Sequence, residues 1–229
     1  MFAKIYKTIQ SWEKRFYHSF GDDITTPKGR RQAVWHTHIV DHAWIRKLWP
    51  NMYPLGAQAW RSNQPDPKRF EKLKQLGIRS IINLRGASRY ASYLFEQESC
   101  AAYDIALYNH ELDARSLGTR EDYLRLLDLF ARVEKPLLLH CKSGADRAGL
   151  AAALYMLDQE RVTADEALNQ LALKYAHRKS TGTGILDHLL EQYRDDSADT
   201  PMSIREWFET RYDRVAITRS FAISRGKAP

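Results

Sequence analysis

Apolar runs that alternate with helix-like stretches predict an α/β fold with a mostly parallel central sheet, flanking helices and a helical C-terminal part. Three runs carry that expectation: Ile78 to Leu84, Ala102 to Leu107 and Pro136 to His140. Each is short enough for a buried strand, and each follows a stretch of helical spacing, at Asp66 to Leu76, Tyr90 to Cys100 and Thr119 to Val133. Beyond Arg147 the pattern is wholly helical.

Taken in order, the first twenty residues place Phe2, Ile5, Tyr6, Ile9, Trp12, Phe16 and Phe20 near helical spacing, with Lys4, Lys7, Lys14 and Arg15 among them. Such a basic amphipathic helix either lies on an anionic membrane surface or packs its aromatic face on the following domain. Gly21 to Gly56 mixes a basic turn, three histidines and the breakers Pro50 and Pro54, and reads as an irregular extension. His36, His38 and His42 have ligand-like spacing but lack a cysteine or paired carboxylate to complete a site, so no metal is expected. A further strand is expected near Ala59 to Ser62, before the turn-forming Asn63 to Pro67. In Thr119 to Val133 the residues Tyr123, Leu124, Leu126, Leu127, Leu129 and Phe130 form a broad apolar stripe, and Thr119 with Asp122 marks the helix start. Helices are expected again over Ala148 to Gln159, Thr163 to Tyr175, Gly184 to Tyr193 and Ser203 to Tyr212. The resulting division is an N-terminal extension at 1–56, a main domain at 57–213 and a basic tail at 214–229.

The 229 residues, 44% of them hydrophobic, suffice for a core. A net charge of +7, most of it in residues 1–56, favours anionic partners. Phosphate esters and anionic lipid fit that bias, and nucleic acid is not expected. Two cysteines, Cys100 and Cys141, are too few for a disulfide framework, and the first twenty residues lack the apolar stretch of a signal peptide. A cytoplasmic setting is the expectation, with peripheral membrane contact through residues 1–20 as the alternative to their packing on the domain.

The chemistry concentrates in Leu137 to Ala153, an apolar strand, a loop and an Ala-rich helix. A strand ending at His140 delivers Cys141 to the carboxyl edge of the sheet, where open α/β folds bind ligands. The next helix turns its free N–H groups and positive dipole end toward the sulfur. A free thiol with a pKa of about 8.5 is only about 3% ionised at pH 7, so that field, with Arg147, is what makes Cys141 a nucleophile. Lys142, Ser143, Gly144, Ala145 and Asp146 form the cradle: Gly144 lets the backbone curl with its N–H groups inward, and Arg147 offers a two-pronged donor for phosphate oxygens.

His140, Cys141 and Arg147 resemble the His-Cys, five residues, Arg signature of the cysteine-dependent protein tyrosine and dual-specificity phosphatases. Trp60 to Pro65 is similar to the opening segment of the atypical dual-specificity enzymes of bacteria, plants and fungi, and the likeness spans about residues 57 to 175. It implies a phosphatase fold and hydrolysis of phosphate monoesters through a cysteinyl phosphate without a cofactor. It further implies a phosphorylated protein, lipid or inositol phosphate as substrate and an acid from an upstream loop. Asp113 is the favoured donor, with Asp146 and Glu111 as alternatives. Two departures matter. Ala148 stands where relatives carry a hydroxyl that steadies the leaving thiolate, and Ser143 is a possible substitute. Lys142 and Asp146 resemble the lipid-directed, myotubularin and Sac types. A non-catalytic phosphate-binding module and a rhodanese-type sulfurtransferase are the competing readings, and Cys100 reads as a core residue, with a redox pairing to Cys141 as the alternative.

Overall fold

The computed structural model describes residues 22–41 and 43–226. The amphipathic stretch at 1–20 and His42 lie outside the described residues. Five strands form one sheet: β1 (Tyr53–Pro54), β2 (Ala59–Asn63), β3 (Ser80–Asn83), β4 (Ala106–Asn109) and β5 (Leu137–Cys141). Their order is β1-β2-β5-β3-β4, with β1 antiparallel to β2 and the other pairs parallel. The strand that carries the nucleophile candidate is thus central, paired with β2 through Asn63 opposite Cys141 and with β3 through Asn83 opposite His140.

Strand alternation sorts β5 between two apolar layers. Leu137, Leu139 and Cys141 join the larger core, while Leu138 joins the smaller one. The larger layer is built by α5 (Arg120–Arg132), α6 (Asp146–Tyr155), α8 (Ile185–Asp199) and α9 (Ile204–Thr210). Helix α5 begins where the sequence signals it, with Thr119 and Asp122 forming a reciprocal capping box and Tyr123, Leu126, Leu127, Leu129 and Phe130 buried. On the opposite face, Phe70 and Leu73 of α3 (Phe70–Gln75) and Cys100 of α4 (Ala91–Tyr103) pack on Ile81 and Leu138.

Four expectations need revision. Residues 22–56 are not irregular: α1 (Pro27–Trp35) leads through a π-helical turn (His36–Val40) to α2 (Ala43–Leu48), and Tyr53–Pro54 adds an edge strand. The start signal was present, since Thr26 caps Gly29 N–H at 3.0 Å and Pro27 occupies the first turn. The run Ala102 to Leu107 is not one strand. Helix α4 continues to Tyr103, Asp104 turns into the left-handed region (φ 55°), and β4 begins only at Ala106. Ile105, which made the run look apolar, plugs the smaller core. The tail is partly helical as α10 (Arg214–Ser224), because the Asp213 carboxylate accepts from Val215 N at 2.8 Å and Ala216 N at 2.9 Å. The stretch Thr163 to Tyr175 also forms a shorter helix than expected, α7 (Ala164–Leu168), before turning.

Candidate active site

Cys141 ends β5, only 2% exposed, and the loop that follows folds over it. Gly144 N–H donates to Cys141 Sγ at 3.3 Å. That contact requires the left-handed backbone of Gly144 (φ 77°), and a Cβ there would stand 2.7 Å from Asn63 N and 2.8 Å from Ser62 C. Helix α6 starts at Asp146, so its first-turn N–H groups open toward the loop, and Arg147 follows at once with Nη1 3.5 Å from the Leu84 carbonyl.

The curl is held from behind by residues whose roles sequence reasoning missed. Arg61 of β2 is fully buried and donates from Nη2 to the carbonyls of Gly144 (2.7 Å) and Ala145 (3.1 Å). Its Nη1 donates to the Gln170 carbonyl at 2.6 Å and to Gln170 Oε1 at 2.9 Å, and its guanidinium lies 3.8 Å over the Tyr175 ring. The Ser143 carbonyl is held instead by Asn51, and the N–H of that same peptide, the Gly144 N–H, is the one that turns to Sγ. Burial lowers the Arg61 pKa to about 10, which still leaves it charged at neutral pH. Asn51, itself at φ 47°, donates to the Ser143 carbonyl and to the Tyr175 carbonyl, each at 3.0 Å. Gln64 N donates to the Lys142 carbonyl at 3.4 Å. The Trp60 to Pro65 segment therefore supplies part of the scaffold of the loop, through Arg61 and Gln64.

A second polar layer reaches His140, the residue before Cys141. Glu96 Oε1 stands 2.7 Å from His140 Nε2, both side chains fully buried. Glu96 Oε2 accepts from Gln64 Nε2 at 2.9 Å, and Gln64 Oε1 accepts from Arg85. Arg85 in turn meets Asp41, which also holds Arg46 and Lys142.

The three acid candidates occupy different environments. Asp146 Oδ1 lies 2.7 Å from His177 Nδ1, and His177 Nε2 lies 2.7 Å from Asp187 Oδ2. Burial works against a proton on His177, but the two carboxylates outweigh it and push its pKa up to about 9. Asp146 is thus engaged as the acceptor of a charged imidazolium, a poor arrangement for delivering a proton elsewhere. Asp113 is exposed, and its Oδ1 accepts from Arg115 N at 2.6 Å and Ser116 N at 2.9 Å. Its neighbour Leu112 is buried and donates to the same Leu84 carbonyl that Arg147 approaches, at 3.2 Å. Asp113 is therefore anchored one residue from a point shared with Arg147. Glu111 folds over Gly86, whose added Cβ would lie 3.1 Å from its Oε2.

Of the cradle residues, Ser143 Oγ accepts from Ala145 N at 3.3 Å, and Ala148 is fully buried in the larger core. The Lys142 side chain is 40% exposed, with Nζ 3.1 Å from Asp41 Oδ1. Cys100 lies across the sheet from Cys141, in the opposite apolar layer, with its thiol pKa pushed up to about 12 by burial. The redox pairing is thereby overturned, because the strands of the sheet separate the two sulfurs. His36 is buried and stacks on Tyr90 at 5.6 Å.

Residues 56–200 match the family described as Swiss Army Knife protein, DSP-PTPase phosphatase domain (PTP-SAK). The chain is 33% identical over 112 residues to bovine (Bos taurus) protein tyrosine phosphatase domain-containing protein 1, a match covering 43% of this chain and 14% of that protein. The mouse (Mus musculus) protein of the same name is 31% identical over 112 residues, covering 43% of this chain and 15% of its own length. The chain thus spans a small part of these curated relatives. Among solved structures, TpbA of P. aeruginosa superposes with a TM-score of 0.51 at 18% identity, covering 65% of this chain and 91% of that one. Tk-PTP in a Gly-to-Ala form gives a TM-score of 0.51 at 12% identity, covering 66% and 99%. With the signature loop built as above and the family match spanning most of the chain, this protein belongs to the cysteine-dependent protein tyrosine and dual-specificity phosphatases, in the PTP-SAK family.

Proposed function

We propose that this phosphatase hydrolyses phosphate monoesters, of the protein phosphotyrosine and dual-specificity type, through a cysteinyl phosphate on Cys141. The observation that carries the reading is the Gly144 N–H aimed at Cys141 Sγ while the loop carbonyls are drawn back onto Arg61. Such a nest stabilises first a thiolate and then the equatorial oxygens of a phosphoryl group passing to it. Cys141 Sγ attacks phosphorus as the P–O bond to the leaving group breaks, and Asp113 gives that oxygen its proton. Asp113 then takes a proton from water, which attacks phosphorus and releases Cys141 as thiolate together with inorganic phosphate. Arg147 and the loop amides hold the oxygens in both steps.

Support for a phosphotyrosine substrate comes from P. aeruginosa TpbA, a fold relative that has been crystallised with phosphotyrosine in a Cys-to-Ser form. A lipid or inositol phosphate substrate of the same mechanism is the second reading. It is favoured by the excess of cations beside the loop, where Arg46, Arg85 and Lys142 all meet the single carboxylate of Asp41.

The test compares wild type and Cys141→Ser on p-nitrophenyl phosphate, a phosphotyrosine peptide and a phosphoinositide, all with excess chelator. Wild type is expected to turn over in chelator and Cys141→Ser to be inactive while still binding vanadate or phosphate. Near-wild-type turnover by Cys141→Ser, or loss of wild-type activity on chelation, contradicts the mechanism. The relative kcat/KM values decide the substrate class.

A further inference from the structure

Asp41 is a fully buried carboxylate that belongs to the N-terminal helical segment and not to any strand or loop of the sheet. A carboxylate in such a place is costly unless its charge is met. Three cations meet it, and each comes from a different part of the molecule. Arg46, at the end of the same segment, donates from Nη2 to Oδ2 at 2.7 Å and from Nη1 to the Asp41 carbonyl at 2.6 Å. Arg85, in the loop after β3, donates from Nη1 to Oδ2 at 3.2 Å and from Nη2 to Oδ1 at 3.1 Å. Lys142, the residue directly after the nucleophile, places Nζ 3.1 Å from Oδ1.

Burial alone would raise the Asp41 pKa, yet Arg85, Arg46 and Lys142 outweigh it and hold the carboxyl at about 2, so it is an anion at any working pH. The Arg85 guanidinium extends the contact inward, through Gln64 and Glu96, to His140. An exposed ion pair with so many rotatable bonds would fix little. Here the anion is buried, and the Lys142 and Arg85 heads converge on its Oδ1.

We infer that Asp41 is a positioning residue for the phosphatase reaction, setting Lys142, the residue after Cys141, and Arg85, the residue after the Leu84 carbonyl that Arg147 approaches, from outside the sheet. The inference rests on the reading of Cys141 as nucleophile. It differs from a purely structural role, in which Asp41 only staples the N-terminal helices to the sheet. A staple lowers stability when cut and leaves the catalytic constants of the folded enzyme alone.

The experiment is a double-mutant cycle on the full chain, with p-nitrophenyl phosphate as substrate and Cys141→Ser as the control for the parent reading. Asp41→Asn and Lys142→Met are each expected to lower kcat/KM about tenfold, and the double variant is expected to fall no further than the worse single, because both remove one interaction. Asp41→Glu, which keeps the charge, recovers most of the loss. Should Asp41→Asn fail to fold, Arg46→Gln loosens the same carboxylate from the far side and is expected to lower kcat/KM about threefold. Multiplicative effects in the cycle overturn the inference, as does an Asp41→Asn or Arg46→Gln enzyme with a lowered melting temperature and wild-type kcat/KM. An active Cys141→Ser enzyme instead contradicts the parent mechanism, so the two failures are told apart.

Discussion

The loops after β5 and β4 both leave the carboxyl edge of the sheet, and they are built in opposite ways. The loop from Cys141 to Arg147 is gripped from three directions, by Arg61, Asn51 and the Gln64 amide, and its carbonyls are spoken for by buried donors. The loop from His110 to Gly118 is secured by two buried leucines, Leu112 and Leu117, while Asp113, Arg115 and Ser116 between them are exposed. On the proposed mechanism the two builds suit two tasks. A cradle for a tetrahedral anion must not reorganise when charge arrives, which rigid backing would ensure. A proton donor at Asp113 would have to meet leaving groups of different size, and water afterwards, which an arm with few anchors would allow.

The sharpest way to break this comparison is to disable the arm and leave the cradle. Asp113→Asn keeps the side-chain oxygen that accepts from Arg115 N and Ser116 N, so the loop is expected to keep its shape. Turnover of alkyl phosphates should fall about a thousandfold, and that of p-nitrophenyl phosphate far less, since a good leaving group needs little protonation. Steady-state kinetics on both substrates provide the check. If Asp146→Asn shows the leaving-group dependence and Asp113→Asn does not, the donor is in the cradle and that pairing of build with task fails.

Breaking the cradle comes next. Arg61→Met strips donors from the carbonyls of Gly144, Ala145 and Gln170, and is expected to destabilise the fold by about 2–4 kcal/mol. In the protein that remains folded, kcat should fall about a hundredfold for both alkyl and aryl phosphates, because a misplaced loop harms every substrate alike. Denaturant unfolding together with kinetics separates the two losses.

The smallest effect sharpens the contrast through pH. His177 is raised in the folded protein from 6.5 to about 9 by Asp146 and Asp187. Its contribution to stability is therefore full below about pH 6.5 and is lost as pH rises through about 9. Thermal melts from pH 6 to 9.5 should show a decline across that window that His177→Gln removes. An equal decline in His177→Gln would mean that the imidazolium does not brace the start of α6.

The nucleophile, the turn at Gly144 and Arg147 were legible in the sequence because a strand, a short loop and a helix are local, and their order alone dictates where a thiol and a guanidinium emerge. The backing was not. Arg61, Asn51 and Asp41 reach the loop across long sequence separations, and nothing in local periodicity distinguishes a buried arginine that grips a backbone from one that faces solvent. The helices of residues 27–48 were missed for a related reason. Val34, Trp35, Ile39 and Trp44 are exposed apolar residues, so the usual contrast between a polar and an apolar face is blurred. Strand β4 was misplaced because it is an edge strand with partly exposed residues, while its most apolar neighbour, Ile105, belongs to the turn before it.

The central claim, that Cys141 itself carries the phosphoryl group, is tested most directly by rapid acid quench of wild-type enzyme mixed with p-nitrophenyl phosphate, followed by mass analysis of the peptide containing Cys141. Ala148 is buried and bears no hydroxyl to steady the departing sulfur, so hydrolysis of the phosphoenzyme is expected to be the slow step. A burst of p-nitrophenol close to one per enzyme is expected, with phosphate on Cys141 rising over the same interval and decaying at the steady rate. Turnover with no burst and no phosphate on Cys141 at any quench time would contradict it.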